Sequence, residues 1–372
     1  MKIMTVVGTR PELIRLSRVI ACLDETFDHV LVHTGQNYDY ELNQVFFDEL
    51  SIRPPDHYLD AAGGTAAETI ARVIEKTDRI FAEIQPDALL ILGDTNSGLS
   101  AIPAKRRHIP IFHMEAGNRC FDFRVPEEIN RKIIDHISDI NLPYTENARR
   151  NLLAEGFLSD HIFVTGSPQT EVLHHYRDQI DASVILEKLK LRSGEYFVGS
   201  FHREENVDNA QRLTQLIESM NALVQLYDIP MVLSVHPRTR NRLESLNLAL
   251  DERIIEMKPL GFFDYVRLQK ESFCTLSDSG TITEESSVLG FPAVTLRDTI
   301  ERPEGMDAGV LVMAGVSSDQ ILNAVKMTRK QYLSGSRPTV PTDYQPIDVS
   351  WKIAKLIQSY VPYVRRRTWG EV

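Results

Sequence analysis

The chain has 372 residues, 42% of them hydrophobic and 25% charged, which is an ordinary globular balance and more length than one typical core takes up, so two domains are expected. A net charge of −11 at pH 7 argues against nucleic acid as a partner, and three cysteines without CxxC or Cys/His ligand spacing argue against a disulfide framework or a structural metal. The start MKIMTVV is too short and too unlike a cleavage site for a signal peptide, and no run of 18 apolar residues exists; a cytoplasmic setting and no membrane partner are expected.

The first half alternates apolar strands with amphipathic helices. Strands are expected at 2–7, 29–33, 88–92, 110–114, 140–143 and 162–165, and helices at 12–24, 39–50, 65–84, 97–107, 127–138 and 146–155. Such alternation predicts a parallel sheet with helices on both faces. Residues 165–168 read as a linker, after which the alternation restarts. Strands follow at 196–201, 230–235, 254–256, 273–277 and 293–296, with helices at 208–226, 239–248, 262–270, 281–289, 304–307 and 317–333. The stretch 334–346 is loop-like, and a helix at 348–360 is expected to cross back onto the first domain. The domains are accordingly set at 1–166 with 347–372, and at 167–346. The fold class is α/β, with a ligand cleft beyond the carboxyl ends of the strands.

Four strand-to-helix turns carry the chemistry. In Gly8-Thr9-Arg10-Pro11-Glu12, proline suits a first helical turn and Arg10 is placed to reach a phosphate. Asp94 ends the apolar strand ALLIL, where it is either a helix cap or a catalytic carboxylate. Glu115 follows IFHM with no capping pattern after it, so a purely structural reason for it is harder to find. Glu127 and Glu128 open a helix after Pro126, where acidic residues are also common for dipole reasons. Several carboxylates near one crevice suggest proton transfer. His202 and His236 each follow a strand of the second half, and two such histidines in one sheet favour a site. The turn Ser279, Gly280 and Thr281 offers free N–H groups and hydroxyls for a diphosphate at a helix start, and Glu285 lies one turn in, within reach of ribose hydroxyls. Neither a Walker A loop nor GxGxxG is present, so ATP and NAD are poorly supported and no cofactor is expected.

Together these segments resemble the UDP-N-acetylglucosamine 2-epimerase family. The resemblance rests on residues 8–12, Gly93-Asp94-Thr95, Glu115-Ala116-Gly117, residues 126–131, His202-Arg203-Glu204, His236-Pro237, Asp278-Ser279-Gly280, Glu284-Glu285 and residues 297–304, all in family order. It implies two Rossmann-like parallel-sheet domains of the glycosyltransferase-B type with an interdomain cleft, a homodimer, UDP held by the second domain and acid/base carboxylates supplied mainly by the first. On that footing Asp94, Glu115, Glu127 and His202 are the catalytic candidates. Arg10, His202, His236, Tyr265, Ser279, Gly280, Thr281 and Glu285 are the UDP-binding candidates, and Arg15 and Arg302 are assigned to the sugar or its surroundings.

Segments 33–50, 100–122, 124–141 and 276–286 further resemble the enzymes that form UDP-N-acetyl-L-fucosamine from UDP-2-acetamido-2,6-dideoxy-L-talose, a step toward capsule or O-antigen sugars. Three positions depart from the wider family. Arg15 stands where lysine is usual, Asn37 and Tyr38 stand where activated enzymes carry His and Arg, and the diphosphate turn reads Gly280-Thr281-Ile282-Thr283. The resemblance implies UDP elimination to a 2-acetamidoglycal and re-addition. The alternatives are a UDP-N-acetylglucosamine/UDP-N-acetylmannosamine 2-epimerase, a hydrolysing relative, a UDP-sugar glycosyltransferase on the same fold, and a non-catalytic UDP-sugar-binding regulator.

Overall fold

The computed structural model describes residues 1–36, 40–123 and 125–371, with the backbone alone for residues 40–44 and 237. Asn37 and Tyr38 lie outside the described residues. Contacts divide the chain into two units, Met1–His174 with Gln345–Val372, and His175–Tyr344.

The first unit holds β1 (Lys2–Val7), β2 (Asp28–His33), β3 (His57–Tyr58), β4 (Ala88–Leu92), β5 (Ile111–Met114) and β6 (Ile140–Leu142). They form one parallel sheet in the order β3-β2-β1-β4-β5-β6. Every residue of β4 is buried, as a central strand covered on both faces requires, which is why ALLIL shows no alternation. Met4, Val6, Leu89, Ile91, Ile111 and Ile134 belong to one core cluster against that sheet. The helix Ala66–Ile84 is capped by Thr65, whose hydroxyl accepts from the Glu68 amide, and it buries Val73, Thr77 and Phe81 at a spacing of four. The C-terminal helix Val349–Trp369 packs along the helix Arg10–Thr26. Its first turn is pinned where the Ser350 amide and hydroxyl both donate to Glu171.

The second unit holds β7 (Phe197–Ser200), β8 (Met231–Ser234), β9 (Ile254–Met257), β10 (Cys274–Ser277), β11 (Ala293–Thr295) and β12 (Val312–Met313). This sheet is also parallel, in the order β12-β11-β10-β7-β8-β9. Phe197, Leu213, Met220, Leu233, Leu276, Val294 and Ile321 fill its core. Both sheets are therefore doubly wound, and each reverses its winding between two central strands: β1 and β4 in the first, β10 and β7 in the second. Ligands bind beyond the carboxyl ends of strands at such reversals. No helix among the described residues is long and apolar enough to cross a membrane.

Four expected elements differ. Residues 162–165 are not a strand; the segment runs beside β6 with one isolated bridge, Asn141 to Ile162, before turning at Gly166. Residues 165–168 do not form an open linker, because Pro168 begins the helix Pro168–His175, a position that suits proline's fixed φ. The expected helix 97–107 is a 3-10 turn, Asn96–Ser100, running into the helix Ala101–Arg106. The last helix does not stop near 360 but continues through Pro362, because the buried stripe Ile353, Ile357, Val361 and Val364 persists past the proline. Strands β3 and β12 have two residues each, too few to show a period.

Candidate active site

In the first unit the carboxyl ends of β1, β4 and β5 gather the site residues. Gly93, just after β4, turns the chain with φ of +72° and delivers Asp94. Arg131, from the helix Glu127–Ile137, donates to Asp94 Oδ2 through Nε at 3.0 Å and Nη2 at 2.5 Å. Its Nη1 donates at 3.1 Å to Glu128 Oε2, which also accepts from the Cys120 amide at 3.1 Å. Asn130 Nδ2 donates to the Asp94 carbonyl at 2.9 Å. The Asp94 turn is thus fastened from one helix by a side chain and through the backbone.

Glu115 follows β5 in the left-handed region, with φ of +66°. For a residue with a Cβ this conformation costs on the order of 1–3 kcal/mol, and such strain gathers at functional sites. The Glu115 carboxylate accepts from Arg15 Nη1 on one oxygen and from Asn118 Nδ2 at 3.2 Å on the other. Behind it lies a buried network. His113 Nε2 meets the Gly93 carbonyl at 2.8 Å and its Nδ1 stands 2.8 Å from Asp135 Oδ1. Asp135 Oδ2 takes the Gly117 amide at 3.1 Å and the Arg119 guanidinium at 2.7 Å. Burial pushes the Asp135 carboxyl up, but the bond from His113 and the charges of His113 and Arg119 outweigh it and hold it below the usual carboxylate range. Glu127 is half-buried in the first turn of its helix, while Glu128 beside it is wholly buried. Arg10 lies with its guanidinium 5.4 Å from the centre of the Phe46 ring. Arg15, expected near the sugar, is placed by the structure against Glu115.

In the second unit the ends of β7, β8 and β10 carry the remaining candidates. Asp278 is fully buried and accepts from the His202 amide at 3.1 Å, the Arg203 amide at 3.0 Å and Asn206 Nδ2 at 3.0 Å. His202 Nδ1 stands 3.4 Å from Asp278 Oδ1, and half of the His202 side chain is exposed. His236 caps the helix Pro237–Ser245, with Nδ1 accepting weakly from the Arg238 amide at 3.4 Å. Ser279 and Thr281 hydroxyls lie 2.9 Å apart at the start of the helix Ile282–Leu289. A Cβ on Gly280 would lie 2.4 Å from Arg302 Nη1, so a side chain here would have to displace that guanidinium. Arg302 is itself buried, 3.2 Å from the fully buried Glu284. Glu285 accepts from Gln269 Nε2 at 2.8 Å. Tyr265 is half-buried and packs on the cluster of Ile185, Tyr196, Val198, Val232 and Leu268.

The structure thus brings Asp94, Glu115, Arg10 and Arg15 to neighbouring turns of one sheet, and His202, Ser279, Gly280 and Thr281 to neighbouring turns of the other. Arg302 and Glu285 sit in buried contacts behind the second turn. Glu12, Asn118, Arg131 and Asp278 were not singled out from sequence. Arg131 had a signal, since it follows Glu127 by four and Glu128 by three on one helix, a spacing at which ions meet. Asn118 had none. Among the described residues no group of three His, Cys, Asp or Glu has the geometry to hold a metal.

A model of the UDP-N-acetylglucosamine 2-epimerase family matches residues 21–358. The structure of a UDP-N-acetylglucosamine 2-epimerase from Rickettsia bellii is similar, with a TM-score of 0.92, 49% identity and full coverage of both chains. That of the Methanocaldococcus jannaschii enzyme, in complex with UDP-GlcNAc and UDP, has a TM-score of 0.90 at 31% identity over 96% of this chain and 99% of that one. The UDP-2,3-diacetamido-2,3-dideoxy-D-glucuronate 2-epimerase of Pseudomonas aeruginosa is 35% identical over 88% of this chain and 92% of its own.

Proposed function

This chain belongs to the UDP-N-acetylglucosamine 2-epimerase family and is an epimerase, and from that premise we propose that it inverts C2 of a UDP-2-acetamido sugar by eliminating UDP and adding it back. The observation that carries the reading is the pair of arginine-held carboxylates, Asp94 and Glu115, at the ends of adjacent strands. A C2 proton with no neighbouring carbonyl is weakly acidic. Departure of UDP gives C1 oxocarbenium character and acidifies C2–H, so loss of that proton yields a 2-acetamidoglycal. UDP then re-adds at C1 while a proton is delivered to the opposite face of C2. In this reading Arg10, His202 and the turn 279–281 meet the charge of departing UDP. Asp94, Glu115 and Glu127 exchange the C2 proton, and Arg15 and Asn118 fix the Glu115 carboxylate in place. The reaction is redox-neutral and needs no nicotinamide.

For the substrate we propose UDP-2-acetamido-2,6-dideoxy-L-talose, converted to UDP-N-acetyl-L-fucosamine for capsule or O-antigen glycans. The resemblance of segments 33–50, 100–122, 124–141 and 276–286 supports it, and the Pseudomonas aeruginosa relative, named for a glucuronate, makes sugars other than N-acetylglucosamine credible within the family. A site shaped for a 6-methyl group disfavours a 6-hydroxyl that finds no partner there. Turnover of the L-talo nucleotide is expected to exceed that of UDP-N-acetylglucosamine by at least about tenfold, roughly 1.4 kcal/mol in transition-state binding, read by proton NMR of both reactions side by side. Equal turnover sinks the substrate assignment, and free N-acetylmannosamine as product sinks the non-hydrolysing one. No activation by added UDP-N-acetylglucosamine is expected. A homodimer is also part of the reading. Phe121, Phe123, Ile129 and Ile133 leave an exposed apolar patch at and before the helix Glu127–Ile137. Sedimentation of Ile133→Asp as a dimer would remove this face from the interface.

A further inference from the structure

Glu12 is a fully buried carboxylate that the proposed chemistry leaves unused. Its Oε2 accepts from the Gly8 amide at 3.0 Å and the Thr9 hydroxyl at 2.7 Å, both in the turn after β1. Its Oε1 accepts from the Thr95 hydroxyl at 3.2 Å and from the Ser97 hydroxyl, both in the turn after β4. Thr95 and Ser97 are themselves 2.6 Å apart, oxygen to oxygen. Arg10 follows Thr9 and Asp94 precedes Thr95, so one carboxylate ties together the two turns that present them. β1 and β4 are the strands between which the sheet reverses its winding. No cation among the described residues pairs with Glu12. Burial, opposed by the bonds from Ser97, Thr9 and Gly8, pushes its carboxyl up, so it is held at an electrostatic cost that packing alone does not require.

We propose that Glu12 is a positioning residue, whose bridge between the Gly8–Arg10 turn and the Asp94–Ser97 turn sets the spacing of Arg10 from Asp94. It touches no substrate, and its catalytic consequence rests on the epimerase reading. A departing diphosphate and the C2 proton sit on adjacent sugar carbons, so the group that meets one and the group that moves the other must keep a fixed separation. Glutamine can largely replace the bridge. Its oxygen can accept from Gly8 and Thr9, and its NH2 can donate to the Thr95 and Ser97 hydroxyls, which accept as readily as they donate. Alanine cannot.

The test compares Glu12→Ala, Glu12→Gln and the double variant Thr95→Val/Ser97→Ala, which cuts the tie from the other turn and leaves Glu12 in place. Amide hydrogen exchange of the peptides covering 8–12 and 93–97 reads the tie without any substrate. Exchange in both peptides is expected to quicken in Glu12→Ala and in the double variant, and to stay near wild type in Glu12→Gln. Turnover of folded enzyme, measured well below its melting temperature, is expected to fall at least about 100-fold in Glu12→Ala and in the double variant, as an ångström of misplacement can. It should stay within about fivefold in Glu12→Gln, since an equivalent hydrogen-bond set is restored. Free UDP and 2-acetamidoglycal should leak during turnover of Glu12→Ala, a signature that loss of stability alone does not produce. Unchanged exchange in the peptide 93–97 of Glu12→Ala would overturn the inference, and so would turnover within threefold of wild type. If Glu12→Ala does not fold, the double variant decides by the same two readouts. Should wild type turn over no UDP-2-acetamido sugar, the epimerase reading fails while the exchange data still decide the bridge.

Discussion

Replacing Arg131 by methionine keeps most of the side-chain volume and removes the charge that joins Asp94 to Glu128. The Glu128 side chain has no exposure and Arg131 only 4%, whereas Asp94 keeps 22% and can recover some hydration. Removing one partner of a buried ion pair costs about 3–5 kcal/mol, and the exposure of Asp94 together with the remaining Lys132 ammonium 4.0 Å from Glu128 places this case near the lower end, at about 3 kcal/mol. The loss should appear as an early urea transition of the first unit. Turnover should drop as well, because the Asp94 carboxylate loses the two guanidinium bonds from Arg131. A second substitution separates the two effects. In Arg131→Met/Glu128→Gln the stranded charge is gone, so most of the stability should return while turnover stays low. A stability loss under about 1 kcal/mol for Arg131→Met would refute the claim that Glu128 and Asp94 depend on this guanidinium. Recovery of turnover in the double variant would refute its role in aiming Asp94.

Asp94→Asn, Glu115→Gln and Glu127→Gln are each expected to cut turnover at least about 100-fold while calorimetry finds UDP binding largely intact; near-normal turnover in all three removes the carboxylate mechanism. Arg10→Ala and His202→Ala should lose both UDP affinity and rate, and unchanged affinity in both would take them out of the site. Cys120→Ser should stay active: burial pushes its thiol up, away from the thiolate that a nucleophile needs, and a folded but dead serine variant would contradict this. His33 is buried and stacked on Tyr58, and burial lowers its imidazole from 6.5 to about 4. The unfolded chain therefore takes up the proton first, and this group's contribution to stability, full above about pH 6.5, is lost as pH falls toward 4, by up to about 3 kcal/mol. His33→Asn, which keeps an acceptor for the Gly35 amide, should be less sensitive to pH over that window in urea titrations; identical profiles would show that His33 titrates normally.

The sheets were legible because parallel strands covered on both faces read as unbroken apolar runs, as in ALLIL and IFHM. Polar residues just beyond the end of such a run are legible too, which is how Asp94, Glu115, His202 and the 279–281 turn stand out. Elements whose existence depends on neighbours were not. β3 and β12 are two residues long and exist only because a strand beside them offers partners. Pro168 was read into a linker, yet it opens a helix, and the last helix, expected to end near 360, runs on through Pro362 because its buried stripe outweighs the lost hydrogen bond. Arg15 was assigned to the sugar or its surroundings and noted as a substitute for lysine, but its contact with Glu115 was not legible, since it spans 100 positions of sequence. Asp278 was seen only as the first residue of a polar turn. Its partners lie 72 to 76 positions away, on a loop that reaches it only once β7 and β10 are paired.

Glu12 and Asp278 answer the same physical problem in two units of different sequence. Where a doubly wound sheet reverses, the segments leaving the two central strands depart toward opposite faces. Their turns then have no ladder to satisfy the N–H groups just beyond the strand ends, and a buried N–H needs an acceptor. A carboxylate offers about four lone-pair sites, more than any neutral side chain, so a single one can serve donors from both turns. In the first unit it comes from the helix after β1 and reaches across to the turn after β4. In the second it stands at the end of β10 and reaches back to the turn after β7, holding the backbone that carries His202. Each therefore links the turns that leave the two central strands of its sheet. On the proposed reading a division of labour places Glu12 two residues from Arg10, and Asp278 next to Ser279, as holders of the turns rather than ligand groups. It also sets a limit on transferring roles by motif, because the residue that binds and the residue that holds the binder in place lie within the same short string.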